Sequence, residues 1–380
     1  MKNLSVIIVA SLISISNITA LFAAQSADTQ TQVVIPDWIT KMKIKGDIRA
    51  RFEQVDVDGD THKSRFRGRV RLGVYGDVND RMDWGIRFAS GSDESPTSSN
   101  QSLDDFGSKR EMWMDLGYFG YRPAELDDLY LVIGKVKKPW KGVSNLIWDG
   151  DFNPEGINAQ YGFSAVNVQC GYYMMKDNVT GDDPQTDVGM FAGQIDGGVK
   201  LAEKVKLNAG IAGFFYQNIK DSEVVKSDAG RYLAKGNTVN KVEAADGTTA
   251  EFWVNGYEEV VTFAALDIKR GPLPLKLYGE YVVNIAADTD DDDGWKLGVK
   301  TSLRKLGLEY NYRDLGRDAV LGLLTDSDFG GGGTGSKGHM IKAKYEILHH
   351  CTLGLTLLLA DNDIKDVPVD TIQADIIVKF

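Results

Sequence analysis

Two groups of charged side chains in this sequence have the types and spacing to do chemistry. The first lies in Gly134–Gly156, GKVKKPWKGVSNLIWDGDFNPEG. Lys137, Lys138 and Lys141 stand there beside Asp149, Asp151 and Glu155, with Trp140 and Trp148 among them. A stretch this charged has no place in an apolar core without partners, so it is expected to face water, outside the molecule or in a wet cavity. The second group is Arg49, Arg51, Arg65, Arg67, Arg69, Arg71 and Arg87, at alternate positions of three successive segments. A period of two puts them on one face of neighbouring strands. A basic wall opposite an acidic loop would set a transverse field that orders polar solutes and fixes ion preference. The competing reading pairs these arginines with Asp47, Glu53, Asp77, Asp83 and loop carboxylates, which neutralises much of the wall. Lys137, Lys138 and Lys141 are ion-path residues or a solvated strand end.

Other candidate sites are weaker. Asp288–Asp293 reads DTDDDD, a solvated and self-repelling loop, or a divalent-cation site that bridges to phosphates of surface lipid. Asp56–Asp60 imitates the start of a calcium loop, but Thr61 stands where Gly is needed and Arg67 where Glu is needed, so it reads as a hairpin tip. Gly330–Gly335 lacks the Gly-Lys-Ser/Thr that closes a phosphate cradle. Of the histidines, His62, His339, His349 and His350, none stands near a serine elbow, and no G-x-S-x-G occurs. No enzyme activity, cofactor or metal is expected. Cys170 and Cys351 match no metal or redox motif and are expected to be packing residues. The net charge of −11 over 380 residues argues against a nucleic-acid partner.

The elements that must position these residues are strands. From residue 43 onward apolar and polar residues alternate one for one, with Ile44, Gly46, Ile48, Ala50 and Phe52 against Lys43, Lys45, Asp47, Arg49, Arg51 and Glu53. Further strands are expected at 65–78, 82–90, 111–121, 129–137, 155–163, 165–175, 187–199, 204–217, 258–269, 274–286, 294–304, 306–314, 339–348, 351–360 and 371–380. That makes about sixteen. The faces of 187–199 and 258–269 are ambiguous. Long connections (56–64, 91–110, 138–154, 176–186, 218–257, 287–293, 315–338, 361–370) alternate strictly with tight ones. This is the pattern of an all-β, antiparallel, up-and-down transmembrane barrel with long extracellular loops. Strands of about ten residues cross a bilayer at a tilt. Aromatics near strand ends, among them Trp84, Tyr121, Tyr161 and Trp295, fit interfacial girdles. Lys2 and the apolar run Leu4–Ala23 read as a secretory signal peptide over 1–24, before a short periplasmic leader (25–42) and the barrel (43–380).

The run Met112–Gly156, with MWMDLGYFGYRP, LYLVIGKVKKPW and LIWDGDFNPEGI, resembles the putative porins of Gram-negative outer membranes. So does KIKGDIRARFE followed by RFRGRVRLGVYGDVNDRMDWGIRFASG. The resemblance implies a sixteen-stranded barrel in the cell outer membrane, a homotrimer, and a third long connection, 138–154, folded into the lumen. Lys138, Lys141, Asp149, Asp151 and Glu155 would then line the constriction, and the seven arginines the pore wall. The alternating last strand ends on Phe380, which looks like the assembly signature of bacterial outer-membrane barrels and implies delivery by the barrel assembly machinery. The expected surroundings are outer-membrane lipid and lipopolysaccharide. The expected function is passive diffusion of ions and small hydrophilic solutes. The alternatives are an anion- or phosphate-selective channel or, from another class, an outer-membrane enzyme or a plugged structural or adhesive barrel.

Overall fold

The computed structural model describes residues 41–380 apart from positions 61, 93, 94, 105, 178–186, 228, 244, 246, 270 and 272. The expected signal peptide and nearly all of the expected leader lie outside the described residues. Strands β1 (Lys43–Val57), β2 (His62–Asn79), β3 (Met82–Ser90), β4 (Gln101–Ser102), β5 (Met112–Tyr121) and β6 (Leu129–Lys135) open the chain. Then come β7 (Glu155–Phe163), β8 (Val166–Lys176), β9 (Val188–Ala202), β10 (Val205–Gln217), β11 (Val239–Glu243), β12 (Thr249–Trp253) and β13 (Glu258–Ile268). The last are β14 (Leu275–Asn284), β15 (Asp293–Leu303), β16 (Leu306–Leu315), β17 (Ser336–Leu348), β18 (Cys351–Asn362) and β19 (Val367–Lys379).

Sixteen of these strands form one closed antiparallel ring, each paired with its sequence neighbours in the ring. β4 is a two-residue addition on β2, and β11–β12 is a separate hairpin within the connection after β10. The ring closes where β1 meets β19, from Asp47 opposite Lys379 to Val57 opposite Val369. Gly46 and Phe380 exchange both backbone hydrogen bonds at the foot of that seam, at 2.9 and 3.1 Å. Closure follows from the solvent: lipid offers no hydrogen bonds, so a sheet survives there only without a free edge. The outward row is apolar and uncovered by protein, as at Ile44, Ile48, Phe66, Val70, Ile372 and Ile376. Two-residue connections follow β2, β7, β9, β15 and β17, while long connections follow β3, β6, β8, β10 and β16.

Three expectations are corrected. The connection expected over 361–370 is a four-residue turn, because β18 and β19 run on to Asn362 and from Val367. The connection over 56–64 is likewise short, since β1 and β2 extend into it. Cys170 packs against no core, as it is exposed on the outward face of β8.

The lumen holds a second, inward-facing apolar core. Tyr173, Met190, Ala192, Ala212, Phe214, Tyr216, Val261 and Val282 point inward from β8–β10, β13 and β14 and are buried. They are covered by Trp140, Leu146, Ile147, Trp148 and Phe152 of the connection after β6 and by Leu315, Ala319, Val320, Leu321 and Leu324 after β16. This explains the ambiguous faces of 187–199 and 258–269: a strand covered on both sides is apolar on both sides.

Gly134 starts the inward turn of the chain. Its φ is +119°, and an added Cβ would lie 2.2 Å from the Gly117 carbonyl oxygen. Gly134→Ala is therefore expected to lower the thermal unfolding midpoint of the detergent-solubilised barrel, from a backbone cost of about 1–3 kcal/mol plus the clash. Gly307→Ala, where a Cβ meets nothing within 4 Å, is expected to leave it nearly unchanged.

Candidate functional site: the lumenal crossbar

Residues 136–154 cross the lumen and attach to walls on opposite sides of it. Their base is pinched by Val136 N–H donating to the Pro154 carbonyl at 2.9 Å and by Lys135 Nζ on Glu155 at 2.6 Å. On one side Lys141 Nζ meets Asp196 of β9 at 2.6 Å, and Gln194 both accepts from the Lys141 N–H and donates to its carbonyl. Farther round, Ser144 donates to Glu280 of β14, and Asn145 accepts from Lys296 of β15 at 2.6 Å. On the far side Asp151 Oδ1 meets Arg71 at 3.1 Å and Arg69 at 3.8 Å. Asp151 Oδ2 accepts from the Ser99 N–H and hydroxyl, and Asn153 donates to Asp115 of β5 at 2.7 Å. β2 and β14 are seven strands apart by the shorter way round the ring.

The stretch that sequence reasoning assigned wholly to water divides by residue type. Trp140, Leu146, Ile147, Trp148 and Phe152 are at most 6% exposed, with Trp148 stacked on Phe152 and both tryptophans edge-on to Phe214. Each buried apolar side chain of this kind stabilises by about 1.5–3 kcal/mol. Of the charged residues, Lys141 and Asp151 sit at attachments to the wall and Glu155 at the base, whereas Lys138 bonds carbonyls within the crossbar.

Six of the seven predicted arginines hold carboxylates. Arg51 bonds Asp375 through two nitrogens at 2.7 and 3.0 Å and also reaches Asp328. Arg65 and Arg67 converge on Glu53, and Arg69 and Arg71 on Asp47. Arg87 pairs with Asp115. Arg49 has no carboxylate in ion-pairing range among the described residues and donates to Asn100. Asp77 has no ion-pair partner among the described residues, and Asp83 is held by Arg122. Sequence reasoning missed Asp115, Asn153, Asp196, Glu280, Lys296, Asp326 and Asp328. The signal for Asp115 is a lone charge in an otherwise uncharged strand, whereas Asp196, Glu280 and Lys296 are inward charges on strands that carry one or two more. The aspartates at 326 and 328 come from an irregular connection and carry no such signal.

Two cavities, of about 660 and 710 Å³, lie at the long-loop and short-turn ends of the lumen, the first walled by Asp115 and Asp151 on one side and by Phe152, Leu321 and Leu324 of the apolar core on the other. The pairs Arg71–Asp151 and Arg87–Asp115 each join a residue of the short-turn cavity to one of the long-loop cavity. The ion-paired layer therefore stands where the two spaces meet.

Within the crossbar, burial pushes the Asp149 carboxyl up to about 8, aided by the nearby charge of Asp326. Burial also pulls the Lys138 ammonium down to about 8. Lys138 donates to the carbonyls of Trp148 and Asp149. The folded chain keeps the Asp149 proton to about pH 8, whereas the unfolded chain loses it near 4. Stability from this group is full below about pH 4 and falls as pH rises to 8. Denaturant midpoints read from tryptophan fluorescence are expected to fall between pH 5 and 8, with the slope flattened in Asp149→Asn. An unchanged slope would discount burial of this carboxyl.

The comparisons with known proteins agree with this architecture. The model of the family described as "Putative porin" matches residues 54–293 and 305–380. The high-pH structure of Pseudomonas putida OprB superposes with a TM-score of 0.58 at 11% identity, over 90% of this chain and 95% of that one. A double mutant of the Rhodopseudomonas blastica porin superposes with a TM-score of 0.52 at 12% identity, over 89% of this chain and all of that one. A triple mutant of the same porin gives 0.51 at 13% identity. No curated protein matches in sequence. With the family matched along most of the chain and the sixteen-stranded ring closed, this chain belongs to the putative porin family and is a transmembrane β-barrel of the outer membrane.

Proposed function

We propose that this porin passes ions and small hydrophilic solutes passively, through a water-filled path narrowed by the crossbar of residues 136–154. The observation that carries the reading is the division of the lumen. One side is filled by an apolar core and the other is lined by charged side chains, and a cavity opens at each end of the lumen. Solutes on the charged side would pass the layer of Arg69, Arg71, Arg87, Asp115 and Asp151, whose fixed charges sort ions by sign. Lys138, Lys141, Asp149 and Glu155 act through the crossbar's attachment rather than as a free ring of charge. Chemistry on a bound substrate has no part in this reading. A homotrimer in lipopolysaccharide-bearing membrane, assembled through the Phe380 terminus by the barrel assembly machinery, belongs to the same proposal. Exposure of Phe380 at the closing seam supports that last point.

A plugged barrel is the second reading, favoured by the apolar core inside the lumen. Single-channel recording of the refolded protein in a planar bilayer separates the two. Steady conductance steps in potassium chloride are expected, and their absence from folded protein would decide for the plug. Arg67→Ala with Arg69→Ala leaves Glu53 and Asp47 less neutralised and is expected to raise cation over chloride permeability about twofold or more. An unchanged reversal potential in a salt gradient would remove these arginines from the ion path.

A further inference from the structure

The cavity at the short-turn end carries more positive charge than its own carboxylates can neutralise. Eight cationic side chains and three carboxylates line it. Arg71, Arg87 and Arg122 are already engaged, by Asp47 and Asp151, by Asp115, and by Asp83. Lys41, Lys43, Lys45, Lys137 and Lys379 form no ion pair among the described residues, and of the three side-chain carboxylates lining the cavity only Asp77 is left to face them. β1, β19 and the start of the crossbar bring these lysines together. Asp47 stands opposite Lys379 in register, and Lys43 opposite Tyr75. The cavity at the other end is lined by two lysines and four carboxylates, with Lys135 already spent on Glu155. The chain as a whole carries −11, so the excess is local. Unpaired ammonium groups around a water-filled recess draw in anions and hold multivalent ones more strongly than monovalent ones.

We propose that the short-turn vestibule is a binding site for a small multivalent oxyanion, bearing carboxylate or phosphate groups, held by Lys43, Lys45, Lys137 and Lys379. Lys41 at the rim strengthens the field. Tyr75, Trp84 and Tyr118 on the same wall offer an apolar surface to the carbon skeleton of a carboxylate ligand. An occupied site stands directly under the Arg71–Asp151 layer and obstructs chloride. The pore is therefore blocked from one end only. This inference rests on the porin reading for its electrical signature, but not for binding itself.

The test uses the refolded full barrel. In a planar bilayer with about 0.1 M potassium chloride, citrate added to one side is expected to reduce chloride current at millimolar concentration. Added to the other side it should act at least tenfold more weakly. About 1 M salt should abolish the block, because screening then acts within about 3 Å. A triple Lys43→Gln, Lys45→Gln, Lys379→Gln variant is expected to raise the half-blocking concentration at least tenfold, while Lys176→Gln at the other cavity leaves it unchanged. Inorganic phosphate in place of citrate separates the two ligand classes: equal potency means charge alone is read, and stronger block by citrate means the aromatic wall contributes. Calorimetric titration of citrate into the detergent-solubilised barrel reads the same site without conduction. A barrel that binds citrate but never conducts keeps the site and loses the porin reading. Equal block from both sides, an unaffected triple variant, or no heat of binding by folded protein would overturn the site.

Discussion

The absence of hydrogen-bond partners in lipid governs this molecule. Every backbone N–H and C=O in the membrane layer must be met by a neighbouring strand, so the sheet has to close. The closing pairs between β1 and β19 make this possible, and their register decides what the lumen looks like there. Pairing Arg51 with Asp375 across the seam, and Glu53 with Gln373, puts a buried guanidinium beside a carboxylate and a carboxylate beside an amide donor. A slip by one residue would turn these charges toward lipid and Ile376 toward the lumen.

Closure leaves an interior that must itself be filled or wetted, and this chain does both. On the side of β8–β10, β13 and β14 the interior is packed by indole, phenyl and aliphatic groups from two connections. On the side of β1–β5 and β19 it is lined by arginines and their carboxylates. The crossbar belongs to both halves. Its tryptophans sit in the packed half, and Asp151 reaches into the charged half. Hydrophobic burial fixes the crossbar's position, and the ion pairs fix where its charges stand. Since breaking one member of a buried pair leaves its partner uncompensated, each attachment supports the others.

Much of this was legible in the residues. Strict period-two alternation located the strands, and the order of long and tight connections located the two ends of the barrel. Alternation failed at β9 and β13, where the inward face is apolar as well, because a pattern of faces cannot show what covers the second one. It also stopped short at Asn362 and Val367: polar residues in an extended hairpin beyond the membrane look like a loop in sequence. The charged stretch was recognised as exceptional, but its burial was not, since Trp148 and Asp149 are neighbours in sequence that face different surroundings.

By itself the sequence determined the strands, their alternating faces and the arginine-rich side of the first three, because each depends on neighbours two residues apart. Only the tertiary structure decided which carboxylate each arginine meets. Asp375 lies 324 residues from Arg51, Asp328 lies 277 from it, and Asp151 lies 80 from Arg71. It likewise decided that five lysines from the two ends of the barrel sequence and from the crossbar share one recess, where none of them forms an ion pair among the described residues. Contacts of that range depend on ring closure and on how a connection folds back, and the local order of side chains carries no record of either.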